Sequence, residues 1–259
     1  MNPLGVLHIP HSSAVIPPDL RSRFRVPDEL IRRELLAMTD WYTDDLFALP
    51  QSEAATIRFP VSRLVLDPER FLDDQIEVMA SRGMGLIYTR TSDGALLRNA
   101  PNPTERRALI KRFYEPHHAS LAQAVRLALE EHGRCLVVDC HSFPSRARPC
   151  DLDQSTDRPD ICIGTDPSHT PNWLTQIATG LLAAAGLSVE VNRPYSGSLV
   201  PAQYYGHQPS VGAIMIEVNR RLYIDEGSGE KRATFPEVAA LIRGLVLGVL
   251  HGFRSQAAA

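Results

Sequence analysis

The chain is poor in cysteine, in long apolar runs and in excess charge of either sign. Four cysteines occur in 259 residues, at Cys135, Cys140, Cys150 and Cys162, and none stand in Cys-x-x-Cys spacing. That argues against a cysteine-based zinc site and for reduced, packed thiols. A reducing compartment follows from the same scarcity. The formal net charge is −3, which supplies no electrostatic hold on nucleic acid or on an acidic membrane. No apolar run reads as long enough to span a bilayer. The first residues, Met1 to His8, lack the charged start and long apolar core of a signal peptide. A cytoplasmic protein is therefore expected. Gly-x-Gly-x-x-Gly, P-loop and Gly-x-Ser-x-Gly patterns are also missing, which argues against a nucleotide enzyme or a serine hydrolase.

What is present suits a folded α/β protein. Hydrophobic residues make up 44% and charged residues 22% of the chain, ordinary for a domain that buries a sizeable core. Strands are expected at Leu4–Ile9, Ala54–Phe59, Ser62–Leu66, Arg134–Asp139, Asp160–Gly164, Leu187–Asn192 and Ala213–Val218. Helices are expected at Asp28–Leu49, from Pro103 to about Glu131 with an interruption near Pro116, at Asn172–Ala185 and at Pro236–Phe253. Residues 67–100 read as a long excursion over the sheet rim, and 142–158 as a long loop of the kind that carries function. The tail Ser255–Ala259 is expected to fray. Length and pattern fit one domain over residues 1–259, a three-layer α/β/α sandwich with a mixed central sheet.

Three of the strands carry polar residues at or near their ends. His11 follows Leu4–Ile9. His141 follows Leu136-Val-Val-Asp139-Cys140. Glu217 interrupts Ile214-Met215-Ile216 and Val218. The carboxyl ends of strands form the ligand crevice of open α/β sheets, and two histidines with a carboxylate on one rim suggest a catalytic metal site. Asp139 shares a face with His141 and can orient its imidazole. A carboxylate at Glu217 is costly unless paired or used; an ion pair with Arg220 or Arg221 is the structural alternative to a raised-pKa general base. Asp40, in an expected helix, is a cap or solvated residue when taken alone. Arg63 and Arg70 either hold a substrate carboxylate or form ordinary salt bridges. Arg193 and Tyr195 lie in a turn after a strand, facing substrate on one reading. His117 and His118 read as packing or solvent residues.

These segments, in order, resemble the N-formylglutamate amidohydrolase family. The matching pieces are Ile9-Pro10-His11-Ser12, Asp40-Trp41-Tyr42-Thr43-Asp44-Asp45, Ser62-Arg63 through Asp67 and Arg70, and Tyr114-Glu115-Pro116-His117-His118. They continue with Asp139-Cys140-His141-Ser142, Pro159-Asp160 to Gly164, Asn192-Arg193-Pro194-Tyr195-Ser196-Gly197 and Ile216-Glu217-Val218-Asn219-Arg220. The resemblance implies a fold like that of zinc carboxypeptidases and zinc-dependent cell-wall amidases. It implies a Zn²⁺ enzyme, or one using another divalent metal, that splits N-formyl-L-glutamate into formate and glutamate in histidine degradation. His11, Asp40 and His141 are the implied ligands and Glu217 the implied base. Arg63 is a candidate oxyanion donor, and Arg70, Arg193 and Tyr195 are candidates for binding a small acyl amino acid. Glu69 stands where much of the family has asparagine, and this departure bears on the substrate. An amidase for another acyl amino acid or a peptidoglycan fragment, and a non-catalytic metal-binding relative, remain the alternatives.

Overall fold

The computed structural model describes residues 2–256. Six strands form one sheet: β1 (Gly5–Ile9), β2 (Ala54–Arg58), β3 (Cys135–Phe143), β4 (Ile161–Gly164), β5 (Val189–Val191) and β6 (Val211–Asn219). Their order is β2-β1-β3-β6-β4-β5. All neighbours run parallel except β4 against β6, so the sheet is mixed. The helices are α1 (Pro18–Arg21), α2 (Asp28–Met38), α3 (Thr43–Leu46), α4 (Pro103–Leu109), α5 (Glu115–His132), α6 (Asn172–Ala184) and α7 (Phe235–Ser255).

The central strands β3 and β6 are buried along their whole length, as expected for strands covered on both faces. Strand alternation sorts their side chains. Leu7, Leu136, Val138, Ile214 and Ile216 face one core with α6 and α7. Val6, Val137 and Ala213 face another with Leu121, Val125 and Ala128 of α5. Each buried Leu, Ile or Val side chain among them contributes about 1.5–3 kcal/mol by leaving water. The alternation continues beyond the apolar residues, so His8, Asp139, His141 and Glu217 belong to the α5 face.

Residues 59–102 cover the rim on that face around a third apolar cluster that includes Phe59, Leu64, Leu66, Leu86 and Tyr88. This excursion has little regular structure, and buried Arg98 replaces a backbone ladder. Its guanidinium donates to the carbonyls of Tyr88 (2.7 Å), Leu64 (2.5 Å) and Val65 (2.9 Å). Burial without a carboxylate partner lowers its pKa to about 10.

Several expectations need correction. The helix expected over Asp28–Leu49 breaks after Met38. Thr39 is extended, the Asp40 amide turns to donate to the His11 carbonyl (3.0 Å), and Tyr42 is left-handed at φ 60°. Ser62–Leu66 is a turn and not a strand: the Ser62 hydroxyl accepts the Leu64 N–H and its carbonyl accepts that of Val65. Strand β3 continues through His141 to Phe143, because β6 pairs with it to Asn219. The long helix is interrupted by a π-turn at Ile110–Tyr114, just ahead of Pro116, and ends at Gly133 with φ 69°. By length and composition α7 could cross a membrane, contrary to the reading of the apolar runs. Here it is a core helix, with Ile242, Val246, Val249 and Leu250 buried in the cluster shared with α6 and the sheet. The fraying expected of the tail concerns in part residues 257–259, which lie outside the described residues. All four cysteines are buried and unpaired.

Gly164 ends β4 where the backbone of the 192–197 turn crosses it. A Cβ there would lie 2.3 Å from the Gly197 carbonyl oxygen and 2.4 Å from the Met215 methyl. Gly164→Ala is expected to lower stability by roughly 1–3 kcal/mol, read as a fall in the thermal midpoint. An unchanged midpoint would show that the turn yields freely.

Candidate active site

The site is assembled from five stretches that are remote in sequence. His11 lies two residues beyond β1 and is held by the hydrogen bond from Asp40 N–H to its carbonyl. Asp40 occupies the break between α2 and α3. His141 lies near the end of β3, and Glu217 sits directly opposite it on β6. Asp67, Glu69 and Arg70 come from the excursion. All of these except Asp67 line one cavity of about 310 Å³, together with Arg63, Arg148, Tyr195 and Arg220.

Each of the two histidines presents one ring edge to Asp40 and the other to different carboxylates. On the Nδ1 edge, His141 Nδ1 lies 3.2 Å and His11 Nδ1 3.7 Å from Asp40 Oδ2. On the Nε2 edge, His11 contacts Asp67 Oδ1 at 2.9 Å, and His141 contacts Asp139 Oδ1 at 3.1 Å and Glu69 Oε1 at 3.2 Å. In a neutral imidazole a carboxylate at Nε2 favours the proton there and leaves the Nδ1 lone pair for an ion. His11 Nδ1 is buried and has no hydrogen-bond partner, a costly state for a polar atom. His11, Asp40 and His141 offer one donor atom each within metal-binding distance of one another. Nitrogen, oxygen, nitrogen from three protein groups is the donor set of a catalytic zinc site, so the residues fit such an ion.

The electrostatics depend on which carboxylates are paired. Burial alone would raise the pKa of Asp40, yet the adjacent His11 and His141 and the Arg220 charge outweigh it and hold the carboxyl well below the usual range. Burial likewise opposes ionisation of Asp67 and Asp139, and Arg63 and His141 respectively reverse the outcome. Glu217 has no such compensation. It forms no ion pair with Arg220, whose guanidinium is taken by Asp40 and Ser142, nor with Arg221, which binds Asp160. Glu217 Oε2 is buried without a partner, and burial pushes its pKa up to about 7 despite the nearby His141.

Other residues fall differently from the sequence reading. Arg193 is 45% exposed, bound to Glu190 and Asp153 on the surface and outside the cavity. Tyr195 does line the cavity and its hydroxyl accepts from Arg158. Glu69 does not pair with Arg70; it leans over the imidazoles of His8, His11 and His141. His8 and His117 are buried together, neither solvated nor idle: His8 Nδ1 meets Asp139 at 2.8 Å and His8 Nε2 meets His117 Nε2 at 2.8 Å. The Nε2–Nε2 contact takes one proton, carried by one ring and accepted by the other. Burial lowers the His117 pKa to about 2 and keeps it neutral. Sequence reasoning missed Arg148 in the long loop and the grip of Asp67 on His11. The only signals for them were the loop's length and the Arg63-Asp67-Arg70 spacing.

Comparison with known proteins accords with this geometry. The family model for N-formylglutamate amidohydrolase matches residues 5–224. An N-formylglutamate deformylase of Pseudomonas putida is 25% identical over 228 residues, which cover 85% of this chain and 82% of that protein. A crystal structure of N-formylglutamate amidohydrolase from Ralstonia eutropha is similar with a TM-score of 0.86 and 24% identity, over 98% of this chain and 95% of that one. A gene product of Agrobacterium tumefaciens has the same fold at a TM-score of 0.70 and 18% identity, over 99% of this chain and 92% of that one. The mixed sheet, the ordered segments and the match over the whole sheet lead to one assignment: the chain belongs to the N-formylglutamate amidohydrolase family.

Proposed function

We propose that the chain is a metal-dependent amidohydrolase that converts N-formyl-L-glutamate and water to formate and L-glutamate. The observation that carries this reading is the orphaned Nδ1 of His11 beside Asp40 and His141 Nδ1, with the unpaired carboxyl of Glu217 lining the same cavity. The names of the relatives supply the substrate. Zinc as the metal, a cytoplasmic setting and a place in histidine degradation belong to the same proposal. So does the extent of the unit, a single domain spanning residues 1–259.

His11, Asp40 and His141 would hold the ion. A bound divalent metal acidifies water and polarises the amide carbonyl. Glu217 takes a proton from the attacking water and passes it to the leaving nitrogen as the C–N bond breaks. A pKa near neutrality suits both halves of that transfer. Arg63 is anchored through Nε and Nη2 to Asp67 and Tyr88, which leaves Nη1 to donate to the oxygen that gains charge. Arg70 receives a substrate carboxylate. Its nearest counter-charges, Asp67 and Glu77, stand at 3.7 and 4.0 Å. A closely related second reading, an amidase for another N-acyl amino acid, is favoured by Glu69, which adds a carboxylate to the cavity wall.

Two outcomes are expected. His11→Ala and His141→Ala should each drop bound zinc far below one per chain by elemental analysis, and chelation of the native protein should abolish a deformylase activity that zinc restores. Full zinc occupancy in both variants would remove the ligand assignment. Glu217→Gln should keep its zinc while kcat falls by about 10²–10⁴-fold. The same variant has a pH signature in metal-free protein. Folded Glu217 is held protonated up to about pH 7, from an ordinary value of 4.5. Its contribution to stability is therefore present below the ordinary value and lost as pH rises through about 7. The thermal midpoint of Glu217→Gln should gain on the native protein between pH 5 and pH 8; a constant difference would contradict the raised pKa.

A further inference from the structure

Four arginines line the cavity, and the fold uses them in two different ways. Arg220 donates through Nε to Ser142 Oγ, through Nη1 to the Ala37 carbonyl, and through Nη2 to Asp40 and the Ser142 carbonyl. Arg63 is fixed by Asp67 and Tyr88. These two hold the protein's own carboxylates in place. Arg70 makes only the loose contacts noted above, and its buried Nε has no hydrogen-bond partner.

Arg148 is freer still. Among the described residues its guanidinium makes no hydrogen bond and no ion pair; only its backbone is engaged, the N–H by Asp151 Oδ2 at 2.9 Å and the carbonyl by Asp151 N–H and Gln154 Nε2. That carboxylate is already taken by Arg158 Nη2 at 2.8 Å. Arg148 is half-buried on the loop that walls the cavity with Pro144 and Cys150. Burial, and then the neighbouring Arg220 charge, oppose its protonation. An under-compensated guanidinium facing a cavity is stabilised by an incoming anion, and a carboxylate matches its fork with two parallel hydrogen bonds.

We propose that Arg148 is a specificity-determining residue: it takes the second carboxylate of a dicarboxylate substrate while Arg70 takes the first, so the cavity selects N-acyl derivatives of acidic amino acids. This deepens the deformylase reading and rests on it for the substrate's identity, but not for its charge. It also replaces Arg193, which lies on the surface, in that role.

The test compares the zinc-loaded native protein with Arg148→Met and Arg148→Lys on N-formyl-L-glutamate and its two monoamides, one blocked at the α- and one at the side-chain carboxylate. Arg148→Met should lower kcat/KM on the diacid by roughly 30-fold or more, with zinc content and thermal midpoint unchanged. The loss should nearly vanish on one monoamide, and Arg70→Met should show the mirror pattern on the other. Lysine should restore part of the rate, since it keeps the charge without the fork. Equal losses on all three substrates would overturn the proposal. A calorimetric titration with glutarate separates the two readings. If no N-formyl amino acid is turned over, the deformylase reading falls. Weaker glutarate binding in Arg148→Met still supports the dicarboxylate site, and unchanged affinity overturns it.

Discussion

His141 on β3 lies opposite Glu217 on β6, and a slip of either strand by one residue would turn its side chain onto the face covered by α6 and α7, away from the other. The register is held by the apolar halves of the same strands. Val137 and Ala213 must meet α5, and Val138 and Ile214 must meet the opposite layer. The site therefore inherits its geometry from core packing. Two further elements are tied to that frame through His11. Asp40 reaches it because α2 breaks and its amide binds the His11 carbonyl, and Asp67 reaches it by closing on His11 Nε2.

So many buried ionisable groups would destabilise the fold if any were left alone. Asp40, Asp67 and Asp139 are each supported by at least one histidine or arginine, and each stays ionised. Glu217 is the exception: it is buried with one oxygen unpartnered, and burial raises its affinity for a proton. The same contrast divides the arginines between those that neutralise protein carboxylates and those left facing the cavity.

The layer behind His141 extends past its first carboxylate. Asp139 accepts from His141 and His8, and its other oxygen accepts the Leu199 N–H at 2.9 Å. His8 in turn receives His117 from α5. This chain of satisfied polar groups ties the middle of the sheet to the helix over it. It explains how a histidine inside a buried strand is accommodated without water.

Much was legible in the chain before folding. Apolar runs marked five of the six strands closely, and polar interruptions at their ends marked His11, His141 and Glu217, because a buried strand spends its polar residues only where they are satisfied or used. Local pattern failed where local energetics do not decide. The break at Thr39–Tyr42 has no proline or glycine to announce it, and it exists because the His11 carbonyl needs a donor from across the molecule. Composition put α7 on the same footing as a membrane span, and only its packing against α6 and the sheet makes it a core helix. Sequence singled out Arg193 and passed over Arg148. A surface pair with Glu190 claims the first, while the second is left unpaired at the cavity. The residue types and their order along the chain were thus a property of the sequence. Which charges meet was decided by the tertiary structure, since pairing between groups a hundred residues apart depends on distance and desolvation, and neither exists until the sheet has formed.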